Sequence, residues 1–190
     1  MTIGVDIDSV IAYLEGPLMK FHNDNYGTNL RVDDITNYDL THWWKCTPNE
    51  LTERLFEFYR SPQMSKLPPV EGSQKGISQL KKNHDLVAIT ARPLWLDEET
   101  NRWLDTNFPD SFTKVIHTNQ VSKSGESKKK SEVCKEVGAT YILEDHILYA
   151  NDCAENGINV CLLERPWNAK EKLHENITRV SSWDEIVNLF

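Results

Sequence analysis

Short apolar runs separated by helical patterns recur along this chain, and the alternation predicts a parallel sheet joined by crossover helices. The runs are Ile3-Gly4-Val5, Leu86-Val87-Ala88-Ile89, Val115-Ile116, Tyr141-Ile142-Leu143 and residues 158–163. Between them, residues 72–84 carry Ile77 and Leu80 at helical spacing, and residues 95–108 place Leu96, Trp103 and Leu104 on one face. Helices over 130–137 and 147–155 are each followed by a stop signal, Gly138 and Asn156-Gly157. A last helix begins at Ser182, whose hydroxyl caps it with Glu185 three residues on, and is expected to bury Ile186, Leu189 and Phe190.

The spacing of the first two strands is abnormal. A strand-helix-strand unit takes about 30 residues, yet Asp8 at the end of the first run precedes Thr90 at the end of the second by more than eighty. The surplus predicts a helical insertion over residues 15–70, set into a core formed by residues 1–14 and 71–190. Within it a helix runs from near Leu14 to Tyr26, and Thr47, Pro48 and Glu50 form a capping box that opens another helix through Arg60. Pro62, Pro68 and Pro69 then break the chain before the core resumes.

Composition narrows the class. At 190 residues the chain is long enough for one domain with a smaller insertion, and 39% hydrophobic with 26% charged residues is ordinary for a soluble globular protein. A net charge of −8 disfavours nucleic-acid polymers and anionic membranes as partners, so a small anionic substrate needs local positive charge. No apolar run is long enough to cross a bilayer. Cys46, Cys134, Cys153 and Cys161 lack C-x-x-C spacing, and the chain opens directly on a strand without a signal peptide, which reads as a reduced cytoplasmic protein. Residues 122–130, rich in serine and lysine, read as an exposed loop. The sequence leaves the oligomeric state open and is compatible with a homodimer.

Candidate chemistry starts with Asp6 and Asp8. At the carboxyl end of a buried strand they sit where open α/β sheets place ligands. Two carboxylates so close repel one another unless one is protonated or a cation lies between them, and a hard oxygen-seeking ion such as Mg²⁺ fits that need and brings substrate phosphate with it. The competing reading of a lone D-x-D is a strand followed by an Asx-type turn. Thr90, Lys130 and Glu144-Asp145 also lie at or just beyond strand ends on the same edge. Each has an ordinary reading too: a strand-end cap, a solvated lysine, and an acidic pair favoured by a helix dipole.

In this order, acid pair, hydroxyl, lysine, acid pair, the chain resembles the haloacid dehalogenase superfamily of phosphotransferases from Gly4 to about Arg165, with Asp6-Ile7-Asp8-Ser9-Val10 close to that family's first motif. The resemblance implies a Rossmann-like parallel sheet and a Mg²⁺-dependent phosphomonoesterase. It makes Asp6 the nucleophile that forms an aspartyl-phosphate, and Asp8 the general acid and base. It further implies Mg²⁺ held by Asp6, the Asp8 carbonyl and Asp145, with Glu144 supporting, and phosphoryl oxygens held by Thr90 and Lys130. Glu144-Asp145 departs from the commoner Asp-Asp, which leaves the choice of metal carboxylate open. The lysine is chosen among Lys123, Lys128, Lys129 and Lys130, and Lys130 is preferred because it heads a helix.

The insertion bears on substrate. Its size, its position and Leu67-Pro68-Pro69-Val70-Glu71-Gly72 resemble the 5′(3′)-deoxyribonucleotidase branch, which implies a helical cap and a nucleoside monophosphate substrate. Tyr13, Phe21, Tyr38, Trp43 and Trp44 make the insertion aromatic-rich; most such side chains pack a small core, and the neighbours Trp43 and Trp44 are the pair expected to face a nucleobase. Ser9, Ala91, Arg92 and Glu144 complete the expected substrate-binding set with them. Arg92 either reaches the phosphate or ribose or pairs with an acidic neighbour, and residues 165–168 are placed at one side of the pocket. The alternatives are a sugar or other metabolite phosphate as substrate, or a phosphate-binding module without turnover.

Overall fold

The computed structural model describes residues 1–121 and 125–190. Six parallel strands, β1 (Thr2–Val5), β2 (Asp85–Thr90), β3 (Lys114–His117), β4 (Ala139–Glu144), β5 (Asn159–Leu163) and β6 (Ile177–Val180), form one sheet in the order β3-β2-β1-β4-β5-β6. β1 is central, and the order reverses between β1 and β4. Such a sheet is buried on both faces, which explains why its strands read as apolar runs without alternation. Leu86 and Ala88 of β2 join one apolar cluster, and Val87 and Ile89 join the other.

Helices cover both faces. On one side lie α4 (Ser73–Leu80) and α8 (Trp183–Asn188), on the other α6 (Lys130–Val137) and α7 (Ile147–Glu155), while α5 (Asp97–Asn107) follows β2. Gly76 lets α4 approach α8 closely: a Cβ there would lie 2.3 Å from Trp183 Cε3. Trp183 is buried in that contact and donates its indole N–H to the Val10 carbonyl at 3.0 Å. α6 ends at Gly138, whose φ of 68° is the left-handed conformation of a helix stop.

Between β1 and α4 the chain forms α1 (Glu15–Tyr26), α2 (Leu40–Trp44) and α3 (Pro48–Arg60), with one short 3-10 turn between α1 and α2 and another after α3. The Thr47 capping box is present, with Glu50 N–H donating to the Thr47 hydroxyl and Thr47 N–H to the Glu50 carboxylate.

The elements differ from the apolar pattern in a few places. The helix expected over 72–84 stops at Leu80, because residues 81–84 turn to bring Asp85 N–H onto the Met1 carbonyl and start β2. Trp95 and Leu96 form a 3-10 turn ahead of α5. Leu189 is 49% exposed rather than buried, since α8 ends at Asn188 and only Trp183 and Ile186 of that helix face the core. β6 gave no apolar run because Thr178 and Arg179 occupy the middle of this short edge strand.

Candidate active site

Asp6 and Asp8 follow β1, and Glu144 and Asp145 close β4, its neighbour, so the two acid pairs meet where the strand order reverses. Oxygens of Asp6, Glu144 and Asp145 lie within 4.8 Å of one another. The turn after Asp8 is tight: Ser9 adopts a φ of 61°, its N–H donates to the Ala12 carbonyl at 2.8 Å, and Ala12 N–H returns to Ile7.

Lys130, the first residue of α6, is wholly buried between the acid pairs, with Nζ 2.8 Å from Asp6 Oδ1 and 2.6 Å from Glu144 Oε1. Burial pulls a lysine toward neutrality, but the Asp6 and Glu144 carboxylates override it and hold the ammonium above its ordinary pKa. Asp6 is pushed well above the usual carboxylate range by burial and then by the Glu144 charge, against which Lys130 works. Asp145 is raised in the same direction by burial, Glu144 and Asp6.

The two acids of the second pair have different environments. Glu144 Oε1 accepts from Lys130 and Oε2 accepts the Asp145 N–H at 2.8 Å, so both its oxygens are engaged. Asp145 Oδ2 accepts the Trp167 indole N–H at 3.0 Å, while its backbone carbonyl accepts from Asn168 Nδ2 at 2.8 Å. Its Oδ1 remains. An oxygen-only donor set of this kind suits a hard divalent cation. The site counts Asp6, Asp8, Glu144 and Asp145 against Lys130 and Arg92, an excess of two carboxylates when all are ionised, which matches a dication.

Arg92 is 2% exposed and turned onto Asp8, with Nε 2.9 Å from Oδ2 and Nη2 2.6 Å from Oδ1. Its Nη1 donates to the buried Thr100 hydroxyl of α5 at 3.2 Å, and its backbone N–H donates to Thr90 Oγ1 at 3.2 Å. Thr90 is fully buried at the end of β2.

Asp6, Asp8, Arg92 and Asp145 open onto a cavity of about 260 Å³, while Thr90, Lys130 and Glu144 are fully buried behind them. Glu144, expected to bind substrate, instead has its oxygens on Lys130 and the Asp145 N–H. Asp6, Asp8, Ala91, Arg92 and Asp145 line its polar end, with His146 and Tyr149 of the core beside them. The residues of the inserted segment that line it are apolar and aromatic, Leu18, Tyr38, Leu40, Leu51, Leu55 and Tyr59, apart from the carboxylate Asp39. Tyr38 packs on His146 with ring centroids 3.9 Å apart and meets Trp167 edge-on at 5.9 Å. His146 accepts the Leu148 N–H on Nδ1, and burial pulls its pKa down to about 4, so the ring is neutral near pH 7.

Several expected residues lie elsewhere. Trp44 is buried in the apolar cluster that runs from the sheet into the inserted segment and stacks on His22 with centroids 4.3 Å apart, while Trp43 packs half-buried against the same cluster and donates its indole N–H to Asn37; neither lines the cavity. Ser9 donates its hydroxyl to Glu15 at 3.0 Å and its carbonyl is held by Arg165, so it too is outside the cavity lining. Arg165 therefore braces the turn after Asp8 instead of walling the pocket. Lys128 and Lys129 reach out to Glu136 and Asp152, and Lys123 lies outside the described residues. Tyr59 and Tyr149 line the cavity without having been singled out, whereas Trp167 and Asn168, expected at one side of the pocket because they follow the end of β5, stand outside its lining and hold Asp145 instead.

Fold and site together define a haloacid dehalogenase-type phosphatase. The haloacid dehalogenase-like protein SP0104 of Streptococcus pneumoniae superposes with a TM-score of 0.70 at 9% identity, covering 99% of this chain and 97% of that one. A superfamily hydrolase of subfamily IA from Geobacter sulfurreducens gives 0.62 at 18% identity over 99% and 95% of the two chains, and at these identities the likeness shows the fold alone. Across residues 1–190 the chain matches the family described as 5′ nucleotidase, deoxy (pyrimidine), cytosolic type C protein, and it belongs to that family. The Bacillus subtilis protein named "Putative nucleotidase YqfW" is 27% identical over 192 residues, 98% of this chain and 92% of its own. "Putative nucleotidase BH1399" of Halalkalibacterium halodurans is 27% identical over 184 residues, 96% and 88% of the respective chains. Among the described residues no helix is long and apolar enough to cross a membrane.

Proposed function

We propose that this protein is a Mg²⁺-dependent nucleotidase that hydrolyses (deoxy)nucleoside monophosphates through a phosphoenzyme. The observation that carries the reading is a buried Lys130 bridging Asp6 and Glu144 at the switch point of the sheet, beneath an aromatic wall supplied by an insertion. The nucleotidase family and the printed names of its relatives agree with that substrate class.

Asp6 attacks phosphorus, the ester oxygen leaves, and an aspartyl-phosphate forms; splitting the displacement in two spares the enzyme from deprotonating water at the first step. Asp8 gives its proton to the leaving oxygen and later takes one from the water that cleaves the acyl phosphate. Lys130 orients the Asp6 carboxylate and, with Thr90, offers positive charge and hydrogen bonds to the equatorial oxygens, where most of the stabilisation of phosphoryl transfer lies. Mg²⁺, held by Asp6, the Asp8 carbonyl and Asp145, would shield the nucleophile from the phosphate charge. Residues 15–70 act as a cap whose Tyr38 and Tyr59 flank the nucleoside, and its leucines exclude water from the reacting groups.

Purified protein with Mg²⁺ is expected to release phosphate from a panel of nucleoside and deoxynucleoside 5′-monophosphates faster than from sugar phosphates at equal concentration. Asp6→Asn should abolish turnover and leave the melting temperature in place or higher, since it removes a buried repulsive charge. Equal rates on sugar phosphates would move the substrate to that class. No turnover of any ester with metal present would leave only a binding role.

A further inference from the structure

From the geometry around Asp8 we infer that Arg92 is a positioning residue for proton transfer, set in place by Thr100, and not a phosphate-binding arginine. The inference rests on the phosphatase reading of the same site. A guanidinium offers five N–H donors in a rigid fork. In Arg92 the Nε and Nη2 edge is spent on both oxygens of Asp8, at 2.9 and 2.6 Å, and the remaining nitrogen is tied to the Thr100 hydroxyl at 3.2 Å. All three nitrogens of the guanidinium are thus held, and Thr100 is itself wholly buried on α5, so the fork is fixed in orientation with its bidentate edge on Asp8. Its backbone is pinned as well: the Arg92 N–H donates to Thr90 Oγ1, and the Arg92 carbonyl lies 3.2 Å from His117 Nδ1 on β3.

Asp8 needs such a partner. It is the first residue of the turn that carries the left-handed Ser9, and its carboxylate is 18% exposed to the cavity; among the described residues its hydrogen-bonding partner is Arg92. An unrestrained carboxylate would sample rotamers that put its oxygens out of reach of the leaving group, and proton transfer falls steeply outside hydrogen-bond range. A bidentate pair fixes the plane of the carboxylate as well as its distance, and it occupies one lone pair on each oxygen, so the proton that Asp8 transfers rides on a lone pair turned away from Arg92. Lysine cannot reproduce that plane. The chain from α5 through Thr100 and Arg92 to Asp8 thus sets one reacting group from outside the catalytic edge of the sheet, as Trp167 and Asn168 do for Asp145.

The test compares two esters with wild type, Arg92→Lys and Thr100→Val, all in Mg²⁺: a nucleoside 5′-monophosphate, whose alkoxide must be protonated as it leaves, and 2,4-dinitrophenyl phosphate, whose phenolate leaves unaided. For the nucleotide, Arg92→Lys should lower kcat by about 10²-fold, the lower range for a general acid-base group, with KM within about twofold of wild type. Single-turnover release of dinitrophenolate, with enzyme in excess, should stay within about threefold, because that step needs no proton. Thr100→Val, nearly isosteric, should shift the nucleotide rate in the same direction by a smaller factor and serves as the second variant if Arg92→Lys fails to fold. A rise in KM for both esters, or an equal loss in single-turnover release of both leaving groups, would assign Arg92 to phosphate binding and overturn the inference. Unchanged kinetics in both variants would overturn it equally. A wild type inert on both esters is a separate outcome, which removes the phosphatase reading and this inference with it.

Discussion

The acids of this site are assigned by what their neighbours already hold. Glu144 has both oxygens engaged by Lys130 and by the Asp145 backbone, whereas Asp145 keeps Oδ1 while Trp167 grips Oδ2. In the proposed mechanism that asymmetry assigns the cation to Asp145 and leaves Glu144, with Asp6, to keep Lys130 charged. Removing a hydrogen bond that orients a metal ligand typically costs 10–100-fold in affinity. Trp167→Phe is therefore expected to weaken Mg²⁺ binding roughly tenfold, read by titration calorimetry on the metal-free protein; unchanged affinity would mean the indole does not orient Asp145. Burial and mutual repulsion also raise the Asp6 and Asp145 pKa values in the metal-free site, so the cation competes with protons there.

At the scale of elements, the fold places these side chains by anchoring the two strands that carry them. β1 is covered on one face by α4 and α8, whose closest approach depends on the missing side chain of Gly76. Gly76→Ala forces Trp183 to shift, and overpacking of this kind costs about 1–3 kcal/mol. Trp183 also holds the Val10 carbonyl, in the turn that follows Asp8. The variant should lose stability by about that amount in urea unfolding, with a smaller loss of activity than Asp6→Asn. On the other face α6 delivers Lys130 at its first residue, and its start is secured by Glu132, whose carboxylate accepts the Lys129 N–H at 2.9 Å. The helix end, not the loop before it, decides which lysine enters the site.

Over the whole molecule, the −8 charge is not offset at the site, where Lys130 and Arg92 are buried against carboxylates that outnumber them, so an anionic substrate depends on the proposed cation there. Residues far apart in sequence close the cavity, Tyr38 from the insertion against His146 and Trp167 from the core. A base stacked on an aromatic ring gains about 1–3 kcal/mol. Tyr38→Ala should raise KM for a nucleoside monophosphate roughly tenfold and leave KM for glycerol phosphate nearly unchanged. An equal rise for both esters would show that the ring closes the site without reading the nucleoside.

The parallel sheet, the helices that join it and the edge on which the acids, Thr90 and Lys130 gather were legible in the chain, because strand and helix periods and strand-end positions are local properties. α6 and α7 follow their apolar spacing and stop signals residue for residue. β6 was not legible, since a four-residue edge strand with polar centres carries no such pattern. Local reasoning also pointed to Trp43 and Trp44 as neighbours unable to share one core face. It had no access to which face of α2 meets His22 or to where the bend just before α2 points, so it missed Tyr38 as the aromatic that reaches His146. The same holds for Arg92, whose choice between phosphate and a carboxylate depends on Thr100 and Asp8, 8 and 84 residues away. Sequence alone determined which residue types arrive at the catalytic edge; tertiary packing decided how each is aimed, because aim depends on partners that only the folded chain brings within hydrogen-bond distance.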